Sequence, residues 1–169
     1  MKRVCAWCNK NLGAAASEIC SEEAITHGIC AECIDKMFVL HGSKITDFLD
    51  GLEAPVAVVD PEGRVCCANG KAQKLLHKER FEIEGFKGGD VFECAYAKLE
   101  GGCGNTIHCD GCTIRTTVMD TFATGKDHLK TPASLVHGTI EDYQEISFLI
   151  STEKVKDVVL LRIDRMGNY

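Results

Sequence analysis

The sequence predicts an α+β protein, in which an antiparallel sheet with helices on one face follows a small metal-binding module. Two C-x-x-C pairs lie within the first 33 residues. From Glu53 onward the pattern runs strand, strand, helices, strand, strand, strand, which is typical of this fold class. The alternating apolar residues of YQEISFLIS (143–151) are typical of a strand with one buried face.

Length, charge and hydropathy limit the class of protein. The 169 residues are enough for one ordinary domain with a small module, and 45% hydrophobic residues is typical of a globular chain. A net charge of −6 without a basic run gives no reason to expect nucleic-acid binding. The apolar runs are too short to span a bilayer, and MKRVCAWCNK has no secretory signal. We therefore expect a cytoplasmic protein with no membrane or nucleic-acid partner.

The first module is predicted over residues 1–40 and contains Cys5, Cys8, Cys30 and Cys33. Two C-x-x-C pairs separated by 21 residues can direct four thiolates at one point, which predicts a zinc site in a zinc-ribbon or treble-clef-like fold. An odd total of eleven cysteines also favours metal binding over disulfides. Because four cysteines already complete a tetrahedron, His27 is expected beside the site rather than on the metal.

The segment CAWC…ITHGICAEC resembles the small four-cysteine segment found beside sensory domains in bacterial signalling proteins. The match covers both cysteine pairs and the His-Gly between them. This resemblance implies a role next to a sensory domain, and it implies no catalytic activity.

A connector helix is predicted over residues 41–52. Ile45, Phe48, Leu49 and Leu52 follow a helical spacing and form one apolar face. Such a face usually packs on its own domain. The alternative is a dimerisation or signal-transmitting helix, which would make the protein a homodimer.

The remaining domain is predicted over residues 53–166. Strands are expected at 55–60 and 64–69, joined by a turn at Gly63, and a helix follows over 70–79. A weaker strand is expected at 128–136, and the last two strands at 143–151 and 158–164. A helix starting at Thr113 should stop at Gly125, with Ile114, Val118 and Phe122 on its apolar face.

The same region, from Phe48 to about Arg165, resembles a PAS domain. The resemblance rests on FLDGLEAPVAVVDPEGRVCCANGKAQKLL, IRTTVMDTFATGKDH and EISFLISTEKVKDVVLLRID, in that order. It implies a five-stranded antiparallel PAS-like sheet and a ligand pocket. Asp60, Gly63 and Asn69 then occupy structural positions of the first hairpin.

A second cluster consists of Cys94, Cys103, Cys109 and Cys112, spaced C-x8-C-x5-C-x2-C among glycines. The spacing is neither that of a ferredoxin nor that of a haem attachment motif. Structural zinc, an iron–sulfur cluster, a reversible disulfide and unligated cysteines all remain open. His108 is expected to be a neighbour of the site.

In the PAS order this second cluster lies in the wall of the ligand pocket, before the long helix. GCG…HC-x-x-C resembles a pattern in PAS-like proteins of bacterial signal transduction, which implies a site without settling its metal.

Cys66 and Cys67 are adjacent on a predicted strand, so they should face opposite sides of the sheet, and packing is the expected role of both.

We therefore expect a non-catalytic sensory or regulatory protein of signal transduction whose output passes in trans to a partner protein. No kinase, phosphatase, cyclase or DNA-binding segment follows the PAS-like part. One alternative is a thiol-based redox enzyme that uses Cys109 and Cys112 with His108 as base, although no third orienting group is visible. The other is a structural, zinc-stabilised interaction module.

Overall fold

The structure is a computed structural model that describes residues 2–5, 8–14, 25–28, 30, 32–33 and 43–168. The chain divides into two compact units, which we call unit 1 (Met1–Leu52) and unit 2 (Glu53–Tyr169). The finer predicted division at residue 40 stays a prediction. Within the described ranges, no helix has both the length and the apolar character needed to cross a membrane.

The described part of unit 1 includes a small three-stranded sheet and a helix that follows it in the chain. The elements are β1 (Lys2–Cys5), β2 (Asn11–Ala14), β3 (Ile25–Gly28) and α1 (Ser43–Gly51). The strand order is β2-β1-β3; β1 runs antiparallel to β2 and parallel to β3. The sheet brings the end of β1 beside the end of β3, because Cys5 is paired with Gly28.

The connector helix predicted over residues 41–52 is observed as α1, within those bounds. Phe48 and Leu49, two of its predicted apolar residues, are buried. The side chain of Ile45 lies outside the described residues. The alternative role in dimerisation stays a prediction.

Unit 2 contains five strands and the helices between them. In chain order these are β4 (Val56–Val59), β5 (Val65–Ala68), α2 (Gly70–Leu76), α3 (Arg80–Ile83), α4 (Gly88–Val91), a 3₁₀ turn (Ala95–Lys98), α5 (Thr113–Thr124), β6 (His128–Gly138), β7 (Tyr143–Val155) and β8 (Val158–Asn168).

The five strands form one antiparallel sheet in the order β5-β4-β8-β7-β6. The first and last strands of the unit therefore lie side by side in its middle, and all helices fall in the connection between β5 and β6. This is the strand order of a PAS-like sheet. The predicted α+β fold, with a five-stranded antiparallel sheet and helices, is confirmed.

The last two strands are longer than predicted. The ladder between β7 and β8 continues through Lys154↔Val159 to Val155↔Val158, so the turn contains only Lys156 and Asp157. Lys156 has a φ of 52°, a left-handed conformation of the kind that tight hairpins require. The prediction stopped the first of these strands at residue 151 because polar residues follow there, but backbone pairing does not depend on side-chain polarity.

Helix α5 begins and ends where the sequence predicts. Gly125 follows it in a left-handed conformation, with φ of 72°, and its N–H donates to the carbonyl of Thr121 at 2.9 Å. Val118 is buried as predicted, whereas Ile114 and Phe122 are only partly buried at the edge of the core.

The most buried residue of α5 is a threonine, which the apolar pattern missed. Thr121 is 0% exposed, and its hydroxyl is hydrogen-bonded to that of Thr152 on β7 at 2.7 Å. A buried hydroxyl is tolerated when it has a partner, and each of these two supplies one for the other. The pair joins the helix to the sheet, and it was invisible to a search for hydrophobic periodicity.

Asn69 organises the start of unit 2. Its side chain is 1% exposed; the oxygen accepts from the backbone N–H of Val56 at 3.0 Å and of Ala72 at 2.9 Å. The amide nitrogen donates to the carbonyl of Ala54 at 2.9 Å. One side chain thus caps α2 and fixes the chain that enters β4.

We expect Asn69→Ala to reduce the free energy of unfolding of unit 2 by about 3 kcal/mol, because it leaves buried backbone groups without partners and removes a helix cap. Urea unfolding followed by far-UV circular dichroism measures this; the single tryptophan, Trp7, lies in unit 1. Lys74→Ala, an exposed change on α2, is the control and should alter stability by less than about 0.5 kcal/mol. Equal midpoints for the two variants would contradict the role of Asn69.

Candidate metal centres

The first cluster brings four thiols to one point. The sulfurs of Cys5, Cys8, Cys30 and Cys33 all lie within 4.8 Å of one another. The distance between the sulfurs of Cys8 and Cys30 is 3.7 Å. Four thiolates around one tetrahedral ion with metal–sulfur bonds of about 2.3 Å stand about 3.8 Å apart. The geometry therefore fits a single metal ion.

Backbone turns create this convergence. The N–H of Asn9 donates to the carbonyl of Cys5 at 2.8 Å, and the N–H of Cys5 donates to the carbonyl of Lys10, which closes the turn around Cys8. The N–H of Cys33 donates to the carbonyl of Cys30 at 3.0 Å. The N–H of Cys30 also approaches the sulfur of Cys5 at 3.4 Å, a contact that stabilises a bound thiolate.

Two thiols of the first cluster, those of Cys8 and Cys33, hold their protons more tightly than free cysteine does. Burial, followed by the neighbouring thiols, raises the pKa of Cys33 to about 12. The backbone N–H of Lys10 lowers the pKa of Cys8, but burial and the thiols of Cys5 and Cys30 outweigh it and the net shift is upward. A metal ion must therefore displace protons from this cluster, so its binding releases protons and weakens as pH falls.

His27 and Lys10 are close to the first cluster in the chain. The backbone of His27 pairs with Val4 in the small sheet, but its side chain lies outside the described residues, so its expected place beside the metal stays a prediction. Lys10 forms an exposed ion pair with Glu32 at 2.8 Å, which links the two cysteine turns at the surface. Exposed pairs of this kind contribute little to stability.

The second cluster lines a cavity inside unit 2. Cys94, Cys103, Cys109 and Cys112 all contribute to the wall of one cavity of about 270 Å³. The floor comes from the sheet and the side from α5, through Val59, Val65, Leu135, Leu161, Ile114, Val118 and Met119. The predicted location, in the pocket wall before the long helix, is where the structure places these residues.

The two clusters differ in how closely their sulfurs approach. Among the residues that the structure describes, only the first cluster brings three or more cysteine, histidine or carboxylate donor atoms within 4.8 Å of one another. The four cysteines of the second cluster are all described, and they surround a cavity instead. No three of their sulfurs all lie within 4.8 Å of one another, as the ligands of one tetrahedral ion would.

Backbone N–H groups and one hydroxyl approach the sulfurs of the second cluster. The N–H of Gly89 donates to Cys103 at 3.2 Å, and the N–H of Gly104 donates to Cys109 at 3.1 Å. The hydroxyl of Thr106 lies 3.2 Å from the sulfur of Cys109. Hydrogen bonds to sulfur are a general feature of metal–thiolate and iron–sulfur sites, where they stabilise the negative charge on the ligand.

Gly89 leaves room for Cys103. A Cβ atom added at Gly89 would lie 2.7 Å from the sulfur of Cys103 and 2.9 Å from the Cβ of Ala97, distances too short for any side chain. At Gly88, the preceding residue of α4, an added Cβ would meet nothing within 4 Å. The requirement for glycine is therefore specific to the position that faces the cysteine.

The thiol of Cys109 has a lowered pKa. Burial raises its pKa, but hydrogen bonds from Thr106 and Gly104 and the positive charge of Arg115 outweigh burial, and the net shift is downward. Burial raises the pKa of Cys103 and of Cys112. Cys112 lies at the N-terminal end of α5, where hydrogen bonds from the backbone of that helix partly offset this effect.

Cys94 is fixed to an edge strand of the sheet. It forms an isolated antiparallel bridge with His137 of β6, and the N–H of Gly138 donates to the carbonyl of Glu93 at 3.0 Å. The carboxylate of Glu93 lies between Lys78, at 3.3 Å, and His137, at 3.4 Å. One end of the second cluster is thus attached to β6, and the other end, at Cys112, to α5.

His108 stacks on Tyr96 at the wall of the cavity. Their ring centroids are 3.9 Å apart, with 10° between the planes. His108 is exposed, and within the described part of the chain no hydrogen bond connects it to Cys109 or Cys112. Its predicted status as a neighbour of the site remains untested.

Cys66 and Cys67 face opposite sides of β5, as predicted. Cys66 is exposed, whereas Cys67 is buried and burial raises its pKa to about 11. Neither lines the cavity.

Sequence reasoning missed two other residues that line the cavity, Lys87 and Arg115, because cations in separate segments carry no spacing signal.

No family model matches this chain, and no curated protein sequence matches it. Among solved structures, the chain is similar to a PAS domain from Desulfitobacterium hafniense, with 20% identity over 73% of this chain and 99% of that one and a TM-score of 0.42. It is also similar to the Rhodobacter sphaeroides LOV protein, with 17% identity over 76% of this chain and 66% of that one and a TM-score of 0.48.

A third similar structure is a domain of a sensory box sensor histidine kinase/response regulator from Geobacter sulfurreducens. It is 10% identical over 76% of this chain and 96% of that one, with a TM-score of 0.48. At such low values the assignment of a PAS-like fold to unit 2 rests on its own strand order. The chain thus joins a module in which four cysteines lie within metal-binding distance of one another to a PAS-like domain with a cysteine-lined cavity.

We expect Cys33→Ser to remove the metal of the first cluster only, because a hydroxyl is a much weaker ligand than a thiolate and the second cluster lies in the other unit. Metal content per chain is the measurement. His27→Ala is the control and should retain the metal, since four thiols complete the tetrahedron. Loss of metal from both clusters in Cys33→Ser would contradict their independence.

We expect Gly89→Ala to displace Cys103 and to deplete whatever metal or cluster the cavity binds, because the added methyl group overlaps the sulfur. Iron, zinc and sulfide analysis of the purified variant measures this. Gly88→Ala is a matched control one residue away, where the same methyl group meets open space. Equal metal contents in the two variants would show that Cys103 does not need its observed position.

Proposed function

We propose that this protein is a non-catalytic redox sensor, in which the PAS-like domain binds an iron–sulfur cluster through Cys94, Cys103, Cys109 and Cys112. The first cluster binds structural zinc, and the redox state is passed in trans to a signalling partner protein. The observation that carries the proposal is the placement of four cysteines around a single cavity in the wall of the PAS-like pocket.

The spacing of the sulfurs favours an iron–sulfur cluster over zinc in the cavity. Four ligands of one ion converge to about 3.8 Å, as the first cluster nearly does. In an iron–sulfur cluster the thiolates bind different iron atoms, so they stand farther apart around a larger inorganic core. A cavity of about 270 Å³ offers room for that core.

The surroundings of the cavity also suit an anionic cluster. N–H groups of Gly89 and Gly104 donate to two of the sulfurs, and the lowered pKa of Cys109 favours the thiolate that a cluster requires. When bound, such a cluster supplies reversible one-electron redox chemistry. The reduced thiols that it needs are consistent with the expected cytoplasmic location.

The first cluster supports a structural role for zinc. Its four sulfurs already approach tetrahedral spacing, and unit 1 has only short four-residue strands in its described sheet. A segment of this size buries little apolar surface, so metal binding supplies much of its folding free energy. The module would hold its shape regardless of the state of the cavity.

A route for the signal follows from the attachments of the second cluster. Cys94 is bridged to β6, and Cys112 precedes α5, which packs on β6, β7 and β8. A change in charge or shape at the cluster therefore acts on both elements at once. We propose that the sheet and α5 present this change to the partner protein.

The alternative of a thiol-based enzyme has one favourable observation, the lowered pKa of Cys109. A nucleophile also needs a base within hydrogen-bonding reach. The predicted base, His108, stacks on Tyr96 instead. We therefore favour a ligand role for this thiolate over a catalytic one.

We expect protein purified without oxygen to have a broad visible absorption band with matching iron and sulfide, together with one zinc per chain. Cys109→Ser should lose the band and most of the iron while it keeps the zinc, because it removes a cluster ligand. Cys66→Ser, which changes an exposed cysteine outside the cavity, should keep both.

Two results would overturn the proposal. Colourless protein with two zinc ions per chain would favour the structural interaction module. Metal-free cavity thiols that oxidise and reduce reversibly would favour a thiol switch or enzyme.

A further inference from the structure

We propose that Lys87 and Arg115 form a cationic wall of the cavity that favours the reduced state of the cluster and so sets the threshold at which the sensor responds. This inference rests on the proposed iron–sulfur cluster. It adds a role for two residues that lie on separate segments and that the cysteine pattern does not include.

The two cations meet beside Gly104, between Cys103 and Cys109. A Cβ atom at Gly104 would lie 3.3 Å from Nε of Arg115 and 3.8 Å from Nζ of Lys87. Both residues line the cavity. Gly104 itself has a φ of 91° and donates its N–H to the sulfur of Cys109, so the cations lie next to a backbone that touches the cluster ligands.

The two cations are not neutralised by the acidic residues around them. Within residues 43–168, neither Lys87 nor Arg115 takes part in an ion pair within 4.0 Å. Glu62 lines the same cavity and Asp90 acts electrostatically on Cys103, but neither pairs with them. In a chain with net charge −6, two such cations directed at one cavity imply an anion there.

Arg115 lies close to one of the proposed ligands. Its guanidinium stands beside Gly104, whose N–H donates to the sulfur of Cys109, so its positive charge stabilises negative charge on this sulfur. An oxidised cluster with four thiolates is an anion, and reduction adds one further unit of negative charge. A nearby cation therefore stabilises the reduced state more than the oxidised state and raises the reduction potential.

The reaction is a one-electron transfer. An external one-electron donor is oxidised and the iron of the cluster is reduced, and no bond to the protein forms or breaks. The role of Lys87 and Arg115 is electrostatic, since neither is a ligand.

The test is a spectroelectrochemical titration of the anaerobically purified full chain, with dithionite as reductant and mediator dyes. We expect Lys87→Gln and Arg115→Gln each to shift the reduced-to-oxidised ratio at fixed potential about tenfold toward the oxidised state, which is 59 mV for a one-electron couple. The double variant should shift further. Lys87→Arg and Arg115→Lys, which keep the charge, should remain near the wild-type potential.

Lys74→Gln is the control for loss of a positive charge elsewhere; it is exposed on α2 and does not line the cavity. It should leave the potential unchanged. Iron and sulfide are measured in every variant. If the neutral variants lose the cluster while Lys87→Arg and Arg115→Lys keep it, cluster content shows that positive charge at these two positions stabilises the anionic cluster.

Three outcomes overturn the inference. If the neutral variants hold the cluster at the wild-type potential, the cations do not set it, and the proposed function stands. If charge-keeping and neutral variants lose the cluster equally, shape rather than charge is required. If the wild-type chain contains no iron–sulfur cluster, the proposed function and this inference both fail.

Discussion

The architecture of unit 2 depends on the buried amide of Asn69. Its three hydrogen bonds fix the entry into β4 and cap α2, so the chain leaves the first hairpin in one direction. β4 then lies beside β8, and residues of both strands, Val59 and Leu161, form part of the cavity floor. The geometry of the cysteine cavity is thus fixed partly by a polar side chain that does not touch it.

The two cysteine clusters use the same ligand type for different geometries. In the first, two C-x-x-C turns on a small sheet bring four sulfurs within 4.8 Å. In the second, the cysteines come from segments that the sheet and α5 hold apart, so a cavity remains between them. The surrounding elements, rather than cysteine content, therefore decide how closely the four sulfurs of each cluster approach one another.

Much of the fold followed from local patterns. The strands, the start of α5 at Thr113 and its stop at Gly125 were predicted and are confirmed, because each depends on residues close in sequence. Non-local features were not predictable in this way. The Thr121–Thr152 pair and the meeting of Lys87 with Arg115 near Gly104 arise only when distant segments pack together. The spacing in the sequence predicted which cysteines belong to each cluster. The difference in how closely the sulfurs of the two clusters approach one another needed the structure.

The pairing of β4 with β8 has a consequence for the order of events during synthesis. All four cysteines of the first cluster lie before residue 34, so they are synthesised early and can meet a metal ion while later parts of the chain are still being made. The cavity is complete only after β8, the last strand, has reached the middle of the sheet. A group that needs the complete cavity could therefore bind only after β8 has been made and has paired, and a product truncated before β8 would have the four thiols of the first cluster but no complete cavity.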